Sequence, residues 1–175
     1  MRSLLWRCLS LVVLTIGVVM LIAPTAQAQG NCVPLSGTIY FWYTDTWHGV
    51  GDFTIGRKAS HPNILSVNTS FFDDGYVWRG TEKWTLDFGR GNTVQLNVQF
   101  VAEHVNDAAS SSGVFHITEV GKFFNGTGMF KNTYGSFTMQ GPFGPNVKLP
   151  AEIQPPPDAQ MFAVAPSQGM ICGLQ

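Results

Sequence analysis

The sequence predicts an all-β domain, a barrel or a sandwich built from short antiparallel strands. Three observations predict it. Only 12% of the 175 residues are charged, while glycine and phenylalanine are abundant at 19 and 13, a composition that suits strands joined by tight turns. Apolar residues recur with a period of two through most of the chain, which puts successive side chains on opposite faces of a sheet. No segment keeps a helical period; at most 102–110 could hold one turn of helix.

The chain opens with "MRSLLWRCLSLVVLTIGVVMLIAPTAQAQG". Arg2 and Arg7 give a basic start, an apolar run follows from Leu9 to Ala23, and Ala26-Gln27-Ala28 supplies small residues for a signal peptidase. Residues 1–28 therefore read as a cleaved secretory signal peptide. The rival reading, an uncleaved anchor, needs an apolar run of about 20 residues, and this one is shorter. Cleavage removes two of the ten Lys+Arg and none of the eleven Asp+Glu, leaving eight cations against eleven anions, a formal charge of −3. Neither that balance nor any basic cluster suits nucleic acid or an anionic membrane surface. No later segment is apolar for long enough to span, so no stable membrane insertion is expected after cleavage. The expected location is secreted or periplasmic. There Cys32 and Cys172, the two cysteines left after Cys8 is lost with the signal, most simply pair with each other.

The strands follow in order. "SGTIYFWYT" puts Ile39, Phe41 and Tyr43 on one face, with Tyr40 and Trp42 on the other. "GDFTIG" from Gly51 and "ILSVNTSF" from Ile64 are shorter or less regular, and Asp73-Asp74-Gly75 marks a turn. The longest alternation comes next: Tyr76, Trp78, Gly80, Glu82, Trp84, Leu86 and Phe88 share one parity. "GRGN" at 89–92 turns the chain, and Val94, Leu96, Val98 and Phe100 alternate with polar residues to complete a hairpin with an aromatic inner face. "SSSG" at 110–113 reads as an exposed loop before "VFHITEV", and further strands lie in "FFNGTGMFKNTYGSFTMQGPFG". The barrel domain is expected over 29–145. Residues 146–175, containing "QPPPDAQ", are expected to form a proline-rich C-terminal segment lying over the domain and tied back by the disulfide.

Within "NGTGMFKNTYGSF", the residues Gly126, Gly128, Phe130 and Gly135 carry a Gly-x-Gly-x-Phe pattern followed by another strand glycine. This resembles a late-strand motif of the allene oxide cyclase-like and dirigent-like β-barrels. A small barrel coils sharply, and glycine permits the bends and bulges that closure needs. The resemblance implies an eight-stranded antiparallel barrel with an apolar lumen, often a homotrimer, and an activity that steers the cyclisation or coupling of a reactive small molecule without a cofactor. It covers about a dozen residues, and no functional residue of those families can be matched here by position. The proline-rich segment and the cysteine pair depart from their plant members.

Three ionisable residues fall in phase with apolar ones: Glu82, His104 and Glu119. A carboxyl buried among aromatic rings is held neutral to higher pH, the usual route to a general acid, and a nearby imidazole completes an acid-base pair. Glu82 and His104 are the catalytic candidates. The competing reading places each at a barrel rim, or beside Arg79, Lys83 or Lys122. Trp78, Trp84, Leu86, Phe88, Leu96, Val98, Phe100 and Glu119 are the expected lumen and ligand-binding residues, although aromatic strand residues are commonly plain core. The four histidines lack zinc-site spacing, no glycine pair leads into a phosphate-binding helix, and there is no nucleophile elbow. No metal or cofactor is expected. Asn68 and Asn125 head glycosylation sequons.

Three functions fit this reading. The first is a secreted barrel that binds a small apolar or aromatic ligand. The second is a cofactor-free isomerase or cyclase, and the third a barrel with a packed lumen that acts through its surface or assembly.

Overall fold

The computed structural model of the protein describes residues 31–104 and 115–175; the expected signal peptide and the 110–113 loop lie outside them. Among the described residues nine strands follow one another: β1 (Cys32–Tyr43), β2 (Trp47–Ile55), β3 (Lys58–Ser60), β4 (Asn63–Asp73), β5 (Val77–Asp87), β6 (Thr93–His104), β7 (Phe115–Gly126), β8 (Tyr134–Gly144) and β9 (Met161–Cys172). All pairings are antiparallel. The sheet runs β1-β9-β8-β7-β6-β5-β4-β2, and β2 pairs back onto β1, so eight strands close a ring while β3 flanks β2. Closure removes the open edges that a flat sheet would expose.

Alternation builds the interior. Along β6, Val94, Leu96, Val98, Phe100 and Ala102 are buried, whereas Asn97, Gln99, Val101 and Glu103 face solvent. Along β5, Glu82, Trp84 and Leu86 point inward on the parity expected from the sequence. The turns between strands carry their own hydrogen bonds. The Asp73 carboxylate accepts from the Gly75 amide at 2.7 Å, and that of Asp74 accepts from the Val77 amide at 2.8 Å, closing the β4–β5 turn. At the other end Phe88 donates its amide to the Asn92 carbonyl at 2.9 Å across the β5–β6 turn. Residues 102–104, where one helical turn was conceivable, belong to β6.

Two features depart from the expected pattern. A bulge in β4 sits between Asn68 and Ser70: Asn68 stands opposite Glu82, but Ser70 stands opposite Thr81, leaving Thr69 as the extra residue. An extra residue reverses the in-out parity beyond it. Phe71 therefore turns toward the interior, 6.3 Å from the Phe100 ring, and Phe72 turns out beneath the Arg79 guanidinium. The second concerns the C-terminus, where the sequence suggests a tail over 146–175. After the prolines the chain re-enters the barrel, and Met161–Cys172 forms β9 between β1 and β8. Between the inward-facing Met161 and Ile171 its inner face carries only Ala163, Ala165, Ser167 and Gly169, too small to give the hydrophobic alternation by which a strand is recognised.

The two ends of the barrel differ. At one end Leu35, Ile55, Leu86, Leu96, Phe123 and Ile171 are packed solid. A short 3₁₀ turn, Gly128–Phe130, plugs this end by burying Phe130 against Phe88, with ring centroids 4.5 Å apart. Gly128 holds φ = 56°, and a Cβ there would collide with the Asn92 side chain, so glycine is required to start the plug. Cys32 and Cys172 are directly opposed on β1 and β9 and joined by a disulfide at the same end.

Candidate functional site

At the opposite end the barrel is open inside. There β1 ends, β5 and β7 begin, and β8 hands over to the proline-rich segment. A cavity of about 340 Å³ lies between Phe41, Trp47, Phe71, Trp78, Phe100 and Phe143. Its walls continue through Ala102, Ile117, Met161 and Ala163, with Tyr43, Asn68 and Gln160 among its few polar residues. The space exists because inward positions on facing strands carry alanine: Ala102 on β6 and Ala163 on β9 fill no more than the first shell above the backbone. The rings support one another. Trp78 stacks on Phe115 at 4.5 Å and meets Phe143 edge-on at 5.7 Å, while Trp47 leans on Phe143 at 5.3 Å. Aromatic pairs at such separations hold each other in defined orientations. The Gln160 amide, bonded to the Tyr43 carbonyl at 2.9 Å, fixes the end of the proline-rich segment at this rim.

Two carboxyls reach the cavity from its floor, Glu82 on β5 and Glu119 on β7. They stand two strands apart, with β6 between them: Glu82 pairs with Val98, and Glu119 with Phe100. Glu82 is buried and well supplied. Its Oε2 accepts the Ser66 hydroxyl at 2.5 Å and the Trp84 indole N–H at 2.6 Å. Burial raises this carboxyl above the ordinary glutamate value, while the two donors act in the opposite sense by favouring the ionised form. Ser66 is completely buried, and Trp84, 1% exposed, is wedged between Phe41 and Phe137 at 4.9 and 5.3 Å. Both donors are therefore fixed before anything binds.

Glu119 has the contrary setting. It is 3% exposed, and its Oε2 has no hydrogen-bond partner among the described residues. Burial pushes its carboxyl well above the ordinary value, and the charge of Glu82 pushes it further.

The site residues suggested by the sequence separate into three groups. Glu82, Glu119, Trp78 and Phe100 meet at the cavity. Trp84 stands behind Glu82 as its donor, and Leu86, Leu96, Val98 and Phe88 belong to the packed half of the barrel, remote from the opening. His104 is at the last position of β6, edge-on to Phe115 at 5.1 Å, outside the cavity wall. The alternation correctly orients these side chains inward, but parity carries no information about depth along the barrel. Phe41, Trp47, Phe71 and Phe143 complete the aromatic wall. The sequence groups Phe41 with Ile39 and Tyr43 on one face of the first strand without marking that face as the interior; Phe71 was hidden by the bulge.

Among the described residues no group of three His, Cys, Asp or Glu side chains could hold a metal ion. Comparison with known proteins gives no matching family model, no matching curated protein and no matching solved structure. The fold and the cavity thus carry the functional reading by themselves.

Proposed function

We propose that this barrel binds a small, largely apolar or aromatic molecule in the cavity at its open end. The observation that carries the reading is the cavity of about 340 Å³ walled by seven aromatic rings, with two carboxyls at its floor. Pockets of this kind, apolar with a few convergent polar groups, are where small molecules bind. The proposed setting is extracytoplasmic, which the Cys32–Cys172 disulfide supports.

Native mass spectrometry of protein purified from its own compartment tests the reading directly, followed by solvent extraction of anything released. A stoichiometric apolar adduct is the expected result. Ala163→Leu, which pushes a larger side chain into the cavity, should abolish the adduct while leaving the barrel folded. An adduct that persists undiminished in that variant would place the ligand elsewhere.

A second reading, the cofactor-free isomerase or cyclase suggested by the allene oxide cyclase-like resemblance, is favoured by one specific observation. The two carboxyls have opposite hydrogen-bonding environments: Glu82 accepts from two donors, and Glu119 Oε2 has none. Environments that separate two carboxyls in this way can assign one to take a proton and the other to give one. Under this reading Glu82→Gln abolishes turnover of the extracted ligand and leaves its binding intact. Unchanged turnover in a folded Glu82→Gln protein would dismiss it.

A further inference from the structure

A buried donor with no acceptor is a request for one. Resting on the reading of the cavity as a ligand site, we infer that its ligand carries a neutral hydrogen-bond acceptor, a carbonyl oxygen, that seats against the carboxyl of Glu119 while its apolar body lies among Trp78, Phe100 and Phe143. Four observations lead there. Glu119 lines the cavity, is 3% exposed, and its Oε2 has no partner among the described residues. The inward residues of its neighbours, Phe100 and Ala102 on β6 and Met139 and Phe143 on β8, offer no oxygen or nitrogen acceptor, only the weakly accepting Met139 thioether. The other titratable groups at the cavity are Glu82 and Tyr43, and neither is a cation. Glu82 already accepts from Ser66 and Trp84, so it is the carboxyl of the two that the fold prepares for negative charge, and Glu119 the one left to hold its proton and donate.

The alternative ligand class is an ammonium compound, which aromatic walls and acidic groups can also attract. Its counter-ion would be Glu82, whose Oε2 already accepts from Ser66 and Trp84, and an ammonium, which only donates, leaves a protonated Glu119 without an acceptor. A carbonyl requires no change of protonation. It supplies the acceptor that Glu119 lacks and completes a hydrogen bond whose absence is costly in a buried site. The two classes also predict opposite pH responses. Carbonyl binding weakens as pH rises and Glu119 loses its proton; ammonium binding strengthens over the same range.

Three compounds of one bicyclic shape separate these cases: tetralin, 2-tetralone and 2-aminotetralin, titrated against the purified protein by tryptophan fluorescence and calorimetry between pH 5 and 9. The expected order is 2-tetralone tighter than tetralin by several-fold to about tenfold, the range a single hydrogen bond to a buried partner provides. That margin should shrink as pH rises. Glu119→Leu should erase it, and Glu119→Gln, whose amide still donates but does not ionise, should keep it at every pH. Equal binding of tetralin and 2-tetralone, a margin that survives Glu119→Leu, or tightest binding by 2-aminotetralin with affinity rising with pH would each overturn the inference while leaving the cavity a binding site. Failure of all three compounds to bind, together with a clean apo mass for the native protein, would overturn the site itself.

Discussion

At the scale of residues, the interior is governed by two carboxyls that the fold treats unequally. Both are raised from the ordinary glutamate value of 4.5, so both bind their protons more tightly in the folded chain than in the unfolded one. The associated stability is complete below that ordinary value and is lost as pH rises through the folded values, because there the unfolded chain has ionised and the folded one resists. Urea unfolding at pH 5 and pH 8 should show the protein less stable at the higher pH through these two groups, and Glu119→Gln should reduce the difference. A slope unaffected by that substitution would mean Glu119 is not held neutral. Ser66→Ala removes one of the two donors to Glu82 and is expected to cost about 1.5–3 kcal/mol where Glu82 is ionised, the range for a hydrogen bond to a charged group. It should also raise the Glu82 carboxyl further, which carboxyl-carbon NMR titration reads directly. Much of this was legible in the sequence: the parity of Trp78, Glu82 and Trp84 turns the carboxylate inward, and Glu119 follows Phe115 and Ile117 in phase. The partners were not, since Ser66 reaches Glu82 from a strand sixteen residues earlier and only strand pairing brings them together.

At the scale of elements, a single extra residue decides who lines the cavity. Read as an unbroken alternation, β4 would send Ile64, Ser66, Asn68, Ser70 and Phe72 to one face. The bulge at Thr69 exchanges the last two for Phe71, and the hydroxyls of Thr69 and Ser70 each meet Thr81 Oγ1 at 2.8 Å on the outside. Nothing in the local sequence announces a bulge, because serine and threonine suit either register. Deleting Thr69 should straighten β4 while Ser70 stays opposite Thr81 and Phe71 opposite Gly80, so Phe71 should still face the cavity and ligand binding should be retained, with a crystal structure of the variant as the check. The 3₁₀ plug gives the complementary case. Phe130→Ala empties a packed site at the far end and should cost about 3–5 kcal/mol, as large aromatic truncations in cores do. Ligand affinity, measured in the same variant under folding conditions, should be unchanged, since Phe130 takes no part in the cavity wall.

At the scale of the whole molecule, the composition and the periodicity were enough to indicate an all-β barrel or sandwich, and the closed eight-stranded ring was expected only from the family resemblance carried by the glycines around Phe130. Where the ring finds its last strand was not legible, because between Met161 and Ile171 the inner face of β9 carries only Ala163, Ala165, Ser167 and Gly169. One of these small residues, Ala163, lines the cavity and helps leave it open, so the strand hardest to see in the sequence also shapes the site. β9 is held at its end by the Cys32–Cys172 disulfide, whose partners are 140 residues apart. Constraining so long a loop contributes about 4–5 kcal/mol in the chain-entropy account. Replacing both cysteines by alanine should therefore lower the melting temperature by roughly 10–20 °C, measured by calorimetry with the intact protein as reference. The ring is least continuous between β2 and β4. β2 lies along β1 from Trp47 to Ile55, but β4 is paired with β2 only from Asn63 to Ser66 against Trp47 to Val50. Beyond Ser66, β4 is laddered on its β5 side alone. This short junction is the weakest seam of the cylinder, and it runs into the cavity beside Asn68 and Phe71. Thermal breathing should begin there, so the amides of 67–73 that face the seam should exchange with deuterium before those of β6 and β7, and the residence time of a bound guest should be set by how often this seam parts.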